Sequence, residues 1–150
     1  MDKTKIHKMW IADQGDGTYS NPILYTDYSD PDAIRVGEDY FMVASSFSNS
    51  PALPILHSKD LVNWKVVNYC LKHIPEFRYN NPLHGCGVWA PSIRYHEGTY
   101  YVCFPMPDEG IYMTTTKDPF GEWSEPVNIR PGATSIGLLS AIIAPSSFLP

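Results

Sequence analysis

Apolar and aromatic residues fall in short runs separated by turn residues, and the runs come in two sets. In the first, Ala33–Val36, Tyr40–Ser46, Pro54–Ser58 and Trp64–Tyr69 read as strands, with Gly37-Glu38-Asp39 turning between the first two. In the second, Ser92–Tyr95, Thr99–Phe104, Gly110–Thr115 and Trp123–Asn128 read the same way, joined by turns at His96-Glu97-Gly98 and Asp118-Pro119-Phe120-Gly121. The two sets share wording. Ile34-Arg35-Val36-Gly37-Glu38-Asp39-Tyr40 returns about 59 residues later as Ile93-Arg94-Tyr95-His96-Glu97-Gly98-Thr99, and Lys59-Asp60 with Trp64 returns as Lys117-Asp118 with Trp123. A repeat of roughly 50 to 60 residues has room for about four short strands, the content of one propeller blade. The sequence therefore predicts an all-β chain of two blades, at about 21–72 and 88–130. A closed ring takes about 4 to 8 blades, so the chain is expected to be part of one.

Outside the blades, residues 1–20 read as a polar leader with a tight turn at Asp16-Gly17. Between the blades, His73 to Gly87 is longer than a hairpin needs, and long loops in compact repeats are often functional. From Ala133 onward the sequence carries no charge and no blade pattern; its apolar core is far short of the ~20 residues that span a bilayer. Residues 132–150 are thus an atypical apolar tail, expected to be either a buried strand with a loop or a foreign, out-of-frame end.

A net charge of −5 and the lack of any lysine or arginine cluster predict neither a nucleic-acid nor an anionic-membrane partner. With aromatics at 13% and charged residues at only 18%, the composition is that of a packed chain that presents rings. Cys70, Cys86 and Cys103 are odd in number and form no C-x-x-C pair, so reduced, structural thiols are expected. No secretory signal is visible in Met1 to Trp10, which favours a cytoplasmic chain.

Candidate chemistry collects where the first strand of each blade begins. Ser29-Asp30-Pro31-Asp32 precedes the first strand, and two carboxylates there could serve acid or base work, although Asp-Pro is also a common turn dipeptide. Val88-Trp89-Ala90-Pro91-Ser92 holds the equivalent place in the second blade. Trp89 is either core or a platform on which the C–H face of a sugar stacks. His57, His84 and His96 have no shared ligand spacing and read as structural; His84, in the long loop before Trp89, is the one to watch. Arg35 and Arg94 at matching repeat positions suggest a structural pairing.

In their order along the chain, Asn21-Pro22-Ile23-Leu24, Ser29-Asp30-Pro31-Asp32-Ala33-Ile34-Arg35-Val36-Gly37, His57-Ser58-Lys59-Asp60-Leu61-Val62-Asn63-Trp64 and Gly87-Val88-Trp89-Ala90-Pro91 resemble the N-terminal part of glycoside hydrolase family 43. The β-xylosidase and α-L-arabinofuranosidase members are the nearest in pattern, over about Asn21 to Pro131. The resemblance implies a five-bladed β-propeller that cleaves glycosidic bonds of xylose- or arabinose-containing saccharides with inversion. It implies Asp30 as general base, Phe47 and Trp89 as aromatic walls around the sugar, Asp32 as a supporting residue and His84 as a residue bordering the substrate. The family's general acid and the aspartate that tunes it belong to later blades. Some members carry a calcium ion at the propeller centre, but no ligand set for it is visible here, so no cofactor is expected. On this reading the chain is a truncated N-terminal piece, inactive alone, with blade faces left uncovered for self-association. Its alternative is a non-catalytic carbohydrate-binding or self-assembling propeller fragment.

Overall fold

The computed structural model describes residues 10–132. Within them lie two four-stranded antiparallel sheets, each a meander in sequence order. The first contains β1 (Asp32–Val36), β2 (Asp39–Val43), β3 (Ala52–Ser58) and β4 (Lys65–Leu71). The second contains β5 (Ser92–His96), β6 (Thr99–Met106), β7 (Gly110–Thr116) and β8 (Val127–Pro131). The predicted tail 133–150 and the first nine residues of the predicted leader lie outside the described residues.

Turn chemistry sets the registers. Val36 pairs with Asp39 across Gly37-Glu38, and His96 with Thr99 across Glu97-Gly98. Gly37 takes φ 62, while Glu97 and Gly98 take φ 46 and 79, the positive values that two-residue hairpin loops require to match strand twist. Both hairpins therefore close on the same two-residue plan. Structurally, Asp32 corresponds to Ser92 and Val43 to Cys103, a spacing of 60 residues. The sequence alignment at about 59 is thus one residue out of step along the first strands. Such a slip exchanges the faces of a strand, which corrects the expected matching of Arg35 with Arg94. Arg35 stands opposite Tyr40, lies on the exposed face of β1 and bonds the Gly37 carbonyl through Nε at 3.0 Å. Arg94 takes the place of Ile34 and points toward the neighbouring sheet.

The two sheets share one core. Phe41, Val43, Leu53 and Ile55 of the first pack with Ile93, Val102, Phe104, Met106 and Tyr112 of the second. Phe41 meets Tyr100 edge-on at 5.3 Å and Phe120 at 5.8 Å, and edge-to-face pairs of this kind add to plain apolar burial. Polar joints ring this core. Asn68 Nδ2 donates to the carbonyls of Pro119 and Gly121 at 3.0 and 2.6 Å, and Phe47 and Val88 form a two-way antiparallel bridge at 2.9 Å each way. The bridge needs Gly87, at φ 95, because a Cβ there would stand 2.2 Å from the Phe47 carbonyl oxygen. This is blade-on-blade packing, and the chain forms two blades of a β-propeller.

Candidate active site at the strand mouths

Both first strands start, and both second strands finish, at one end of the pair of blades. Carrying the β1–β2 register two residues beyond the sheet puts Ser45 opposite Asp30, and the Ser45 amide does donate to the Ser29 carbonyl at 2.9 Å. At that point Asp30 takes φ 47 and Phe47 takes φ 49. Aspartate tolerates the left-handed region through local hydrogen bonding, but a bulky aromatic residue rarely sits there. Backbone held in sparse regions by its surroundings is a mark of functional sites.

The Asp30 side chain is exposed and oriented. Its Oδ2 accepts from Ser29 Oγ at 2.8 Å and from Ser45 Oγ at 3.1 Å, and its Oδ1 has no hydrogen-bond partner among the described residues. Two hydroxyl donors on one oxygen fix the carboxylate plane and leave the other oxygen open to water. Phe47, half-buried, follows two residues after Ser45, and its bridge to Val88 sets Trp89 next in line from the second blade. The Trp89 amide donates to the Pro105 carbonyl at 3.0 Å and its Nε1 to the Gly85 carbonyl at 3.2 Å, while 40% of the residue stays exposed. A ring edge-tethered in this way keeps a face for a ligand.

The remaining expected residues fall differently. Asp32 does not open onto the mouth: its Oδ2 accepts from Ser92 Oγ (3.0 Å), the Ile93 amide (2.9 Å) and Arg94 (2.6 Å). Its place is therefore in the joint between the blades, where three donors from β5 converge on that oxygen, which suits the supporting role expected of it. His84 is exposed in the turn before Gly85, on the loop that tethers Trp89, and its side chain has no hydrogen bond among the described residues. His57 is structural, as expected: Nε2 lies 2.5 Å from Asp39 Oδ1, which also meets Lys59 at 2.7 Å. Hydrogen bonds from Lys59 first and His57 second hold the Asp39 carboxyl below the usual carboxylate range.

Ser45 escaped the sequence reading, although the two-residue turn at Gly37-Glu38 places it opposite Asp30. Two concavities lie outside this cluster. One of about 560 Å³, lined by Asn21, Pro22, Leu24, Tyr28, Pro31 and Met42, flanks the lead from Asp30 into β1. Another of about 680 Å³ runs between β4 and residues 120–126. Among the described residues no three His, Cys, Asp or Glu side chains gather closely enough to hold a metal ion, and no helix is long and apolar enough to cross a membrane.

The fold and the site together define a β-propeller segment that presents an oriented aspartate at its strand mouths. Comparison with known proteins makes this specific. The sequence profile of the glycosyl hydrolases family 43 matches residues 19–142, so the chain belongs to that family. The match runs past Pro131 into the uncharged segment. Among curated relatives, a non-reducing-end α-L-arabinofuranosidase of Bacteroides ovatus is 42% identical over 130 residues, covering 79% of this chain and 24% of the relative. A β-xylosidase of Formosa agariphila is 43% identical over 125 residues, covering 80% and 21%. A solved family 43 protein of Bacillus licheniformis superposes with a TM-score of 0.65 at 37% identity, over 76% of this chain and 25% of that one. These solved relatives are five-bladed propellers, and this chain spans part of one. It spans about a quarter or less of the length of the curated relatives it matches.

Proposed function

We propose that this chain carries the general base of an inverting glycosidase that acts on xylose- or arabinose-containing saccharides, with Asp30 as that base. The observation that supports it most is the Asp30 carboxylate, with one oxygen held by Ser29 and Ser45 and the other free to meet water. In an inverting reaction an ionised carboxylate takes a proton from water as that water attacks the anomeric carbon. A second, protonated carboxyl some 6.5 to 9.5 Å away delivers a proton to the departing oxygen. Asp30 suits the first task. The second carboxyl would come from a later blade, since the hydroxyl network of Asp30 includes no other acid among the described residues. Trp89 and Phe47 would wall the reacting sugar, offering ring faces to its C–H groups. The similarity to an arabinofuranosidase and a β-xylosidase supports the sugar class.

On this reading the 150-residue polypeptide alone is expected to hydrolyse aryl glycosides negligibly, because the general acid and further substrate walls would come from later blades. The reading is tested in a chimera in which residues 21–131 replace the matched segment of the Formosa agariphila β-xylosidase. Hydrolysis of an aryl β-xyloside should release the α-anomer first, seen by proton NMR, and Asp30→Asn should abolish turnover, with partial rescue by azide. Retention of configuration, or an active Asp30→Asn chimera, overturns the assignment. A chimera that binds xylo-oligosaccharide without cleaving it would favour the carbohydrate-binding alternative.

A further inference from the structure

The loop from His73 to Gly87 begins where β4 ends and finishes where β5 begins, so it runs along the mouth and carries both His84 and the Gly85 carbonyl that tethers Trp89. Most of its backbone is irregular: one 3₁₀ turn at Phe77–Asn80, a turn bond from the Cys86 amide to the Leu83 carbonyl, and little else within it. What ties it down lies across from it, in the turn between β6 and β7.

That turn is a fixed post. The Glu109 amide closes it on the Met106 carbonyl at 3.0 Å, and the Glu109 carbonyl accepts from the Gly132 amide and from Asn128 Nδ2 at 3.0 and 3.2 Å. Gly110 sits at φ 134 because a Cβ would lie 2.4 Å from the Arg130 carbonyl oxygen. To this post the loop is moored by one guanidinium. Arg78 bonds Asp108 Oδ2 at 2.8 Å, pairs with Glu109 and reaches the Tyr79 hydroxyl at 2.7 Å, while that hydroxyl also meets Glu109 at 3.2 Å. Glu76, at φ 78, is held by the Tyr112 hydroxyl at 2.9 Å. An isolated exposed ion pair contributes little. This one is different in kind: the Glu109 side chain is only 12% exposed, and one guanidinium nitrogen, Nη2 of Arg78, serves two carboxylates and a phenol in one network.

We propose that Arg78 is a positioning residue for substrate binding: by mooring the mouth loop to the Asp108-Glu109 turn it keeps the Gly85 carbonyl, and through it the Trp89 ring, in place. The proposal rests on the reading of Trp89 as a wall of the sugar site. Losing the mooring leaves Ile74 and Tyr79 buried in the core, so the blades persist while the segment from Asn80 to Trp89 loosens.

Cys86 reports on this directly. It is half-buried on the loop, whereas Cys70 and Cys103 are buried in the sheets. In the 150-residue polypeptide, Arg78→Met should speed alkylation of Cys86 by N-ethylmaleimide about tenfold, with Cys70 and Cys103 still protected and Arg78→Lys restoring much of the slow rate. Glu109→Gln should speed it likewise, and the double variant should go no further than Arg78→Met alone. An unchanged Cys86 rate in both single variants, or parallel acceleration of all three thiols, overturns the proposal. In the chimera, Arg78→Met should raise KM for a xylo-oligosaccharide about tenfold with kcat within about twofold, while a loss in kcat at constant KM overturns it. Asp30→Asn in the same chimera keeps the two claims apart. If that variant is fully active, the reading of the site has failed; if it is dead and Arg78→Met keeps a normal KM, only the mooring has failed.

Discussion

The two blades begin alike and differ where chemistry would happen. In the first, Asp30 precedes Pro31 and stands opposite Ser45; at the same places in the second, Ala90 precedes Pro91 and stands opposite Pro105. Both strand mouths are built on the same hairpin, but only the first holds an ionisable group and a hydroxyl to orient it. The second contributes an aromatic ring, Trp89, one residue earlier. A repeat supplies two equivalent backbone positions, and divergence between them puts an oriented carboxylate in one blade and an exposed ring in the other. The departure from the repeat is therefore more informative about function than the repeat itself.

The largest effect should come from moving the carboxylate between these positions. In the chimera, Asp30→Ala is expected to lower kcat by roughly 10²- to 10⁴-fold, the range of a lost general base. Adding Ala90→Asp to it restores the charge at the mouth but in the wrong blade, opposite Pro105, which has no hydroxyl to orient it. Steady-state rates on an aryl xyloside should show no recovery in the double variant. Recovery would mean that charge at the mouth suffices and that the Ser29–Ser45 cradle is irrelevant.

The joint between the blades should respond next. Gly87→Ala drives a methyl into the Phe47 carbonyl at a positive φ, so it should cost on the order of 3 kcal/mol and separate the Phe47–Val88 bridge, read as a lower urea midpoint. Asp32→Ala leaves Arg94 and two further donors of β5 without their acceptor. Because both side chains are about one-third exposed, water takes up part of the loss, and about 1–2 kcal/mol is expected by the same measurement. A larger effect for Asp32→Ala than for Gly87→Ala would place the main lock at the acid and not at the bridge.

Seven of the eight strands were legible in the sequence because both signals they need are local: short apolar runs and the turn residues that end them; the eighth was expected at Trp123–Asn128 and lies at Val127–Pro131, because Trp123 packs against the core from an irregular segment ahead of the strand. The register was legible only to within a residue. Ile-Arg occurs in both first strands, and aligning the identical letters conceals that Arg94 holds the place of Ile34 on the sheet. The Asp30-Pro31 signal, with Trp89-Ala90-Pro91, stood out because it lies at a strand start in both repeats. The Asp32–Arg94 joint and the Arg78–Glu109 mooring stayed hidden, since each couples residues some 30 to 60 positions apart through packing, which no local pattern encodes. What Asp32 supports stayed hidden for the same reason: its neighbour in sequence is Asp30, but its partners are in the other blade.

The smallest effect contrasts the far ends of the blades. Where the first blade has Asp39 against His57 and Lys59, the second has the uncharged Thr99 in the place of Asp39, and its hairpin carries only the loose, exposed His96–Glu97 pair at 3.8 Å. The Asp39 carboxyl is held below its ordinary value near 3.8, mainly by its hydrogen bonds to Lys59 and His57. A depressed carboxylate contributes stability that is present above its unfolded pKa and is lost as pH falls through the folded one. The contribution of Asp39 should therefore be whole at neutral pH and disappear below about pH 4. Asp60, also lowered, by Asn63 first and then by the backbone amides of Asn63 and Val62, acts in the same direction in the same blade. Acid should thus loosen the first blade before the second, with amide exchange rising in β2 and β3 ahead of β6 and β7. Asp39→Asn should flatten the acid limb of the stability curve and change little at pH 7. If the second blade exchanges first, or if the variant keeps the full acid limb, the far-end contrast between the Asp39 cluster and Thr99 has no energetic content.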